Sequence, residues 1–181
     1  MFNSKSRIKF ISIAVGLAIA AALAFWLWPD SAKNYVWRFN LQTLETETLT
    51  QTYTHQNPHF SFQYPEGFNI GSFQEGEGET VLVQQPGENR GFQIYILPFD
   101  EPGPITKERI WQDIPDKKIV AEQKVKIGGE DALVFLSQDP SSGAMREAWF
   151  IHANFLFQIS AKQELDETLS KIMATFKFLN I

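Results

Sequence analysis

Three glutamates alternate with glycines in Glu75-Gly-Glu-Gly-Glu79. Glycine lets the backbone bend freely, and carboxylate oxygens are the ligands that hard cations such as Ca²⁺ take. Glu75, Glu77 and Glu79 are therefore the candidate metal ligands of this chain. The Asp-x-Asp-x-Asp-Gly spacing of an EF-hand is absent, and alternate glutamates equally suit a solvated hairpin turn. Phosphate is a poorer match. Gly76-x-Gly78 lacks a third glycine and a following basic residue, and the surrounding acids repel an anion.

His55 and His59 are four residues apart, which on a helix would set both on one face. Pro58 lies between them and disfavours helix at Asn57, so the pair reads as part of a segment entering a strand. His152 falls in a turn. The remaining acids, Asp100 and Glu101 in a Pro/Gly loop and Asp113, Asp116, Glu130 and Asp131 further on, are scattered. Two carboxylates do acid–base work when burial splits their pKa values, but no spacing here brings two together. No nucleophile, base and orienting acid occur in a recognisable arrangement. The chain has no cysteine, which excludes disulfides, thiolate metal sites and thiol chemistry. These residues imply no catalytic group and no cofactor, and a non-enzymatic role ahead of an enzymatic one.

The elements that would carry these residues change character along the chain. From Pro58 the apolar period is two: Phe60, Phe62 and Tyr64 point one way, and Tyr64-Pro65-Glu66-Gly67 ends the strand as a type I turn. Thr80–Gln84 and Gly91–Pro98 read as strands joined across residues 86–89. Lys124–Ile127 and Ala132–Ser137 flank Gly128-Gly129, a hairpin signal. Met145–Ile151 and Phe155–Ala161 flank a turn in which Asn154 takes a left-handed conformation. The strands at 92–97 and 133–136 are apolar on both faces, so both faces need cover. Leu165, Leu169, Ile172, Met173 and Phe176 form one helical face. Thr106–Ile114 is a shorter helix, capped by Thr106, with Ile110, Trp111 and Ile114 inward. The sum is an α+β fold: a mostly antiparallel β-sheet with helices packed on its faces, an αβα sandwich.

Ahead of this domain, Phe10–Trp28 carries no charge. As a helix it is ~28 Å long at ~1.5 Å per residue, the thickness of a bilayer's hydrocarbon core. Lys5, Arg7 and Lys9 precede it with no acid among them, which orients the N-terminus to the cytoplasm and exports the rest. Trp26 and Trp28 suit the headgroup level at the outer end. Ala22-Leu23-Ala24 has the form of a signal-peptidase site, but the apolar run continues through Trp28, which favours an uncleaved anchor. The expected order is a basic cytoplasmic tail (1–9), a transmembrane helix (10–28), a stalk (29–57) and the α+β domain (58–181). Within the stalk, Thr46 to Thr54 alternate with other residues, a pattern that also fits an edge strand. All 21 acids follow Pro29, so the exported part is more acidic than the whole chain's net charge of −5. That balance argues against nucleic acid as a partner. Without disulfides the domain rests on its core, for which 16 Phe are available.

The pieces resemble the PsbP-like domain, a family named for an extrinsic subunit of the photosystem II oxygen-evolving complex and similar to domains of bacterial envelope proteins. Phe60-Ser-Phe-Gln-Tyr-Pro-Glu-Gly-Phe68 resembles its strand ending in Tyr-Pro-x-x-aromatic. Ile127-Gly-Gly-Glu-Asp-Ala132 resembles its hairpin before a central strand. Phe155–Ala161, Leu165–Ala174 and Thr175–Phe178 resemble its closing strand, helix and short last strand. The resemblance spans Pro58 to Phe178 and implies an αβα sandwich used for binding, assembly or chaperone-like roles. Phe68 stands where the family pattern suggests tryptophan, and the family's metal-binding residues have no match. The expected function is a non-enzymatic binding or assembly module, tethered through Phe10–Trp28 to the plasma (inner) membrane, extracytoplasmic, with an envelope protein as partner. The alternatives are a carboxylate- or cation-dependent envelope enzyme and a lipid-binding or spacer domain.

Overall fold

Among the described residues, aromatic and β-branched residues alternating with polar ones build ten strands and leave two short helices. The computed structural model describes residues 48–88, 90–139 and 142–179. The basic tail, the apolar run 10–28 and the stalk up to residue 47 lie outside the described residues. In chain order the elements are β1 (Leu49–Gln56), β2 (His59–Pro65), β3 (Asn69–Glu75), β4 (Gly78–Gln84), β5 (Gly91–Pro98), α1 (Lys107–Asp113), β6 (Val120–Ile127), β7 (Glu130–Asp139), β8 (Gly143–His152), β9 (Phe155–Lys162), a 3₁₀ turn (Gln163–Leu165), α2 (Asp166–Ala174) and β10 (Lys177–Phe178).

The strands form a seven-stranded sheet, ordered β3-β4-β5-β9-β8-β7-β6, and a three-stranded sheet, β1-β2-β10. All their pairings are antiparallel. Cross-strand partners share a face. Val81, Ile94, Ile159, Ala148 and Val134 therefore line one face of the large sheet, while Tyr95, Gln158, Trp149 and Leu133 line the other.

The first, inner face packs against α2 and the small sheet. Phe60, Phe62, Phe92, Phe150, Phe157 and Phe176 are all buried there with Leu165, Leu169 and Ile172. Phe150 and Phe157 stack at 5.0 Å, and Phe60 stacks on Phe176 at 5.0 Å. The opposite, outer face holds a smaller core of Leu133, Phe135, Trp149 and Leu156, closed by Ile105 and by Ile110 of α1. The helices thus lie on opposite faces, and the described residues form a mostly antiparallel α+β sandwich.

Local signals hold at both expected tight turns. Gly128 and Gly129 have φ of +60° and +92°, and Ala153 and Asn154 have +47° and +64°. Each pair gives the twist that two-residue hairpins require. Three details differ from the sequence reading. The compact unit starts at Thr48, not Pro58, because residues 49–56 are a strand whose Tyr53 and His55 face Phe62 and Phe60 across the register. Residues 69–75 form a strand that the glycines and glutamates conceal. Trp111 faces outward, 39% exposed, donating Nε1–H to the Lys117 carbonyl at 2.9 Å.

Candidate functional site

The hairpin joining β3 and β4 separates the three glutamates. Glu75 shares the outer face with Thr80, whose Oγ1 donates to Glu75 Oε2 at 2.8 Å. Glu79 pairs across the ladder with Ile96 on the inner side, and its Oε2 lies 3.5 Å from His55 Nε2. Glu77 sits between them in the turn. Gly78 is required by close approach. A Cβ there would come within 2.5 Å of the Ile96 carbonyl oxygen and 2.7 Å of the Tyr95 ring. Among the described residues no group of three or more His, Asp or Glu is placed to hold a metal ion.

His55 is buried, stacked on Phe60 at 4.8 Å. Its Nε2 lies 3.0 Å from the Asn57 carbonyl, which can only accept. The ring therefore carries its proton on Nε2 when neutral, and Nδ1 accepts from Tyr53 O–H at 3.0 Å. Burial, with Glu79 nearby, raises the Tyr53 pKa above its ordinary value. His59 belongs to the next strand, in register with Gln56 rather than with Phe60 and Phe62 on the aromatic side. His152 stacks on Phe178 at 3.4 Å, with Nδ1 2.8 Å from Glu130.

The candidate acids Glu101, Asp113, Glu130 and Asp131 are each held by a basic side chain. Glu101 takes Arg109 through two bonds of 2.6 and 2.8 Å, and Asp113 takes the same guanidinium at 2.7 Å. The hydrogen bond from Arg109 holds the Glu101 carboxyl below the usual range. Asp131 meets Lys126 at 2.9 Å on the surface. Glu130 and Asp131, adjacent in sequence, thus face different partners, His152 and Lys126.

The densest polar cluster lies where the sequence reading placed none. Glu147 of β8 is buried on the outer face of the sheet. Its Oε1 accepts from Ser137 Oγ and from Lys117 Nζ, the latter at 2.7 Å, and Oε2 accepts from Trp149 Nε1 at 2.9 Å. Lys117 lies 5.5 Å from the Trp149 ring centre, a cation–π distance. A serine beside a carboxylate and a lysine is a setting for a nucleophile. Here, however, the carboxylate spends its lone pairs on three donors, and Ser137 is buried. The cluster fastens the loop after α1 to the sheet. A lone glutamate within the run Met145–Ile151 is its sequence signal, since an unpaired buried charge is not tolerated.

Beyond the reach of α1, the outer face changes. Phe73 and Leu82 are 49% and 37% exposed. A shallow groove of about 300 Å³ runs there, lined by residues 69–73 with Leu82 and Gln84. No described element covers it.

Layers, order and register together define a PsbP-like α+β fold. The solution structure of cyanobacterial PsbP (CyanoP) from Synechocystis sp. PCC 6803 superposes with a TM-score of 0.53. The match covers 71% of this chain and 92% of that one at 11% identity, a likeness of fold. No protein-family model and no curated protein matches the chain.

Proposed function

We propose that this chain is a non-enzymatic binding or assembly module, tethered to the plasma membrane by residues 10–28, with its α+β domain on the extracytoplasmic side. The observation that carries the reading is the open half of the outer face. Phe73 and Leu82 line a groove there that no described element covers, whereas the polar groups at the other end are tied to one another. Exposed apolar residues beside a polar rim are what a protein-binding surface presents. A membrane tether supports the same role by raising the local concentration near other membrane-bound proteins. The basic excess ahead of the apolar run supports the orientation, and the acidic domain supports a protein partner over nucleic acid.

Cross-linking in intact cells followed by affinity purification tests the reading. The full-length chain is expected to retain a membrane or exported protein that the double variant Phe73→Ser, Leu82→Ser loses while keeping its fold. Retention of no partner, or equal retention by both, contradicts it. Protease added to spheroplasts is expected to digest the domain. Protection until lysis would invert the topology.

A further inference from the structure

The two edges of the seven-stranded sheet are treated differently by the chain. An edge strand presents unpaired N–H and C=O groups that template another strand, and proteins blunt it with lysine, proline, bulges or a covering element. The β6 edge is blunted. Glu122, Lys124 and Lys126 lie along it, Ala121 has φ +51°, and its register shifts between Val120 and Gln123. Lys107 of α1 also reaches Glu122 at 2.9 Å. Among the described residues the β3 edge carries none of these devices. Asn-Ile-Gly-Ser-Phe-Gln-Glu pairs with β4 in unbroken register, without lysine or proline. Its one charge, Glu75, lies at the end and accepts from Thr80. Asn69, Gly71, Ser72, Phe73 and Gln74 are exposed.

The hairpin fixes which backbone groups are free. With Gly76-Glu77 as a two-residue loop, Glu75 and Gly78 are the hydrogen-bonded closing pair. Glu75, Phe73 and Gly71 then bond to β4, and Ile70, Ser72 and Gln74 turn their N–H and C=O outward. We propose that this edge pairs with β3 of a second copy, antiparallel, about a twofold axis at Ser72.

In that register Ser72 faces Ser72, and Ile70 faces Gln74. All three outward-turned residues of each copy are satisfied, by about six hydrogen bonds. Phe73 falls opposite Gly71, which has nothing within 4 Å of where a Cβ would stand, so each ring finds room beside its partner. Glu75 falls opposite Asn69, and no like charges meet. A two-residue slip leaves outward groups unpaired, and a one-residue slip faces outward groups with inward ones. The contact is self-complementary, as a twofold interface must be. It goes beyond the binding reading, because it rests on the outward N–H and C=O groups of β3 rather than on the exposed side chains, although residues 69–73 also line the groove.

The absence of cysteine lets single cysteines report without background. In the full-length chain in detergent, Ser72→Cys is expected to form a disulfide-linked dimer on mild oxidation. Facing hydrogen-bonded residues lie about 5.5 Å apart at Cα, within disulfide reach. Ile70→Cys and Gln74→Cys are each expected to stay unlinked alone and to link when mixed. Lys124→Cys on β6 is expected to stay unlinked. Ser72→Lys sets two ammonium groups on the axis and is expected to convert a sedimenting dimer to monomer with unchanged circular dichroism. The proposal is overturned by a chain that sediments as monomer throughout, or by a dimer that survives Ser72→Lys. It is equally overturned if a photo-cross-linker at Ser72 captures a different protein instead of a differently tagged copy.

Discussion

The two ends of the outer sheet face are built from similar strands and finished in opposite ways. Over β7 and β8, α1 and its following loop bury Leu133, Phe135 and Trp149, and the buried Glu147 binds that loop through Lys117. Over β3 and β4 nothing described is laid down, and Phe73 and Leu82 remain exposed. Placing a carboxylate beneath a loop makes cover obligatory, because an uncompensated buried charge is strongly destabilising. Placing aromatic and aliphatic side chains at an open end leaves cover optional, so a partner can supply it. The contrast separates a surface committed to stability from one available for binding.

The largest effect is expected where cover is obligatory. Glu147→Ala strands Lys117, the Ser137 hydroxyl and the Trp149 N–H, and is expected to cost about 3–5 kcal/mol, read by chemical denaturation. Ile110→Ala opens a cavity beneath α1, where Ile110 is 1% exposed, and is expected to cost about 2–5 kcal/mol. Thr106→Ala removes the hydroxyl that accepts from Arg109 N–H at 3.2 Å, a loss of about 1 kcal/mol. If any of these three substitutions leaves stability unchanged, α1 is not the clamp described.

pH probes the two ends from opposite directions. The Glu101 carboxyl has a folded pKa below 4.5 through its bond to Arg109. Its contribution is present above that value and is lost as pH falls through the folded pKa. The pair is solvent-exposed, so the loss is expected to stay below about 1 kcal/mol. At the open end, burial and then Glu75 and Glu77 raise Tyr95 above 10.0. That contribution is present below 10.0 and is lost as pH rises through the folded value. Tyr95→Phe is expected to flatten the alkaline limb of the stability profile, and an unchanged limb contradicts the assignment. The smallest effect belongs to Phe73→Ser and Leu82→Ser, each expected within about 0.5 kcal/mol of the parent. A larger loss would mean that the open end is structural.

Legibility in the sequence followed the same division. The inner core was readable because Phe60, Phe62, Phe157 and Ile159 alternate cleanly and the face of α2 repeats at helical spacing. Both tight turns announced themselves through Gly128-Gly129 and Asn154, which tolerate positive φ, while Ala153 gave no such signal. The alternating threonines offered β1 as an edge strand only beside a stalk reading, since its inward Tyr53 and His55 do not read as a hydrophobic face. The β3 strand hid because it is exposed on both sides and so lacks the contrast on which alternation depends. Trp111 was expected inward on helical spacing, but its indole N–H finds the Lys117 carbonyl at the surface. The Glu147 cluster joins residues 117, 137, 147 and 149, and only the folded sheet brings them together.

Photo-cross-linking at two comparably exposed positions of the full-length chain, in the cells that make it, tests the central claim most directly. Phe73 at the open end is 49% exposed, and Val120 at the blunted edge is 57% exposed. A photoreactive residue at 73 is expected to give a discrete protein adduct, while the same residue at 120 gives none. An adduct at 120 with none at 73 would contradict the account.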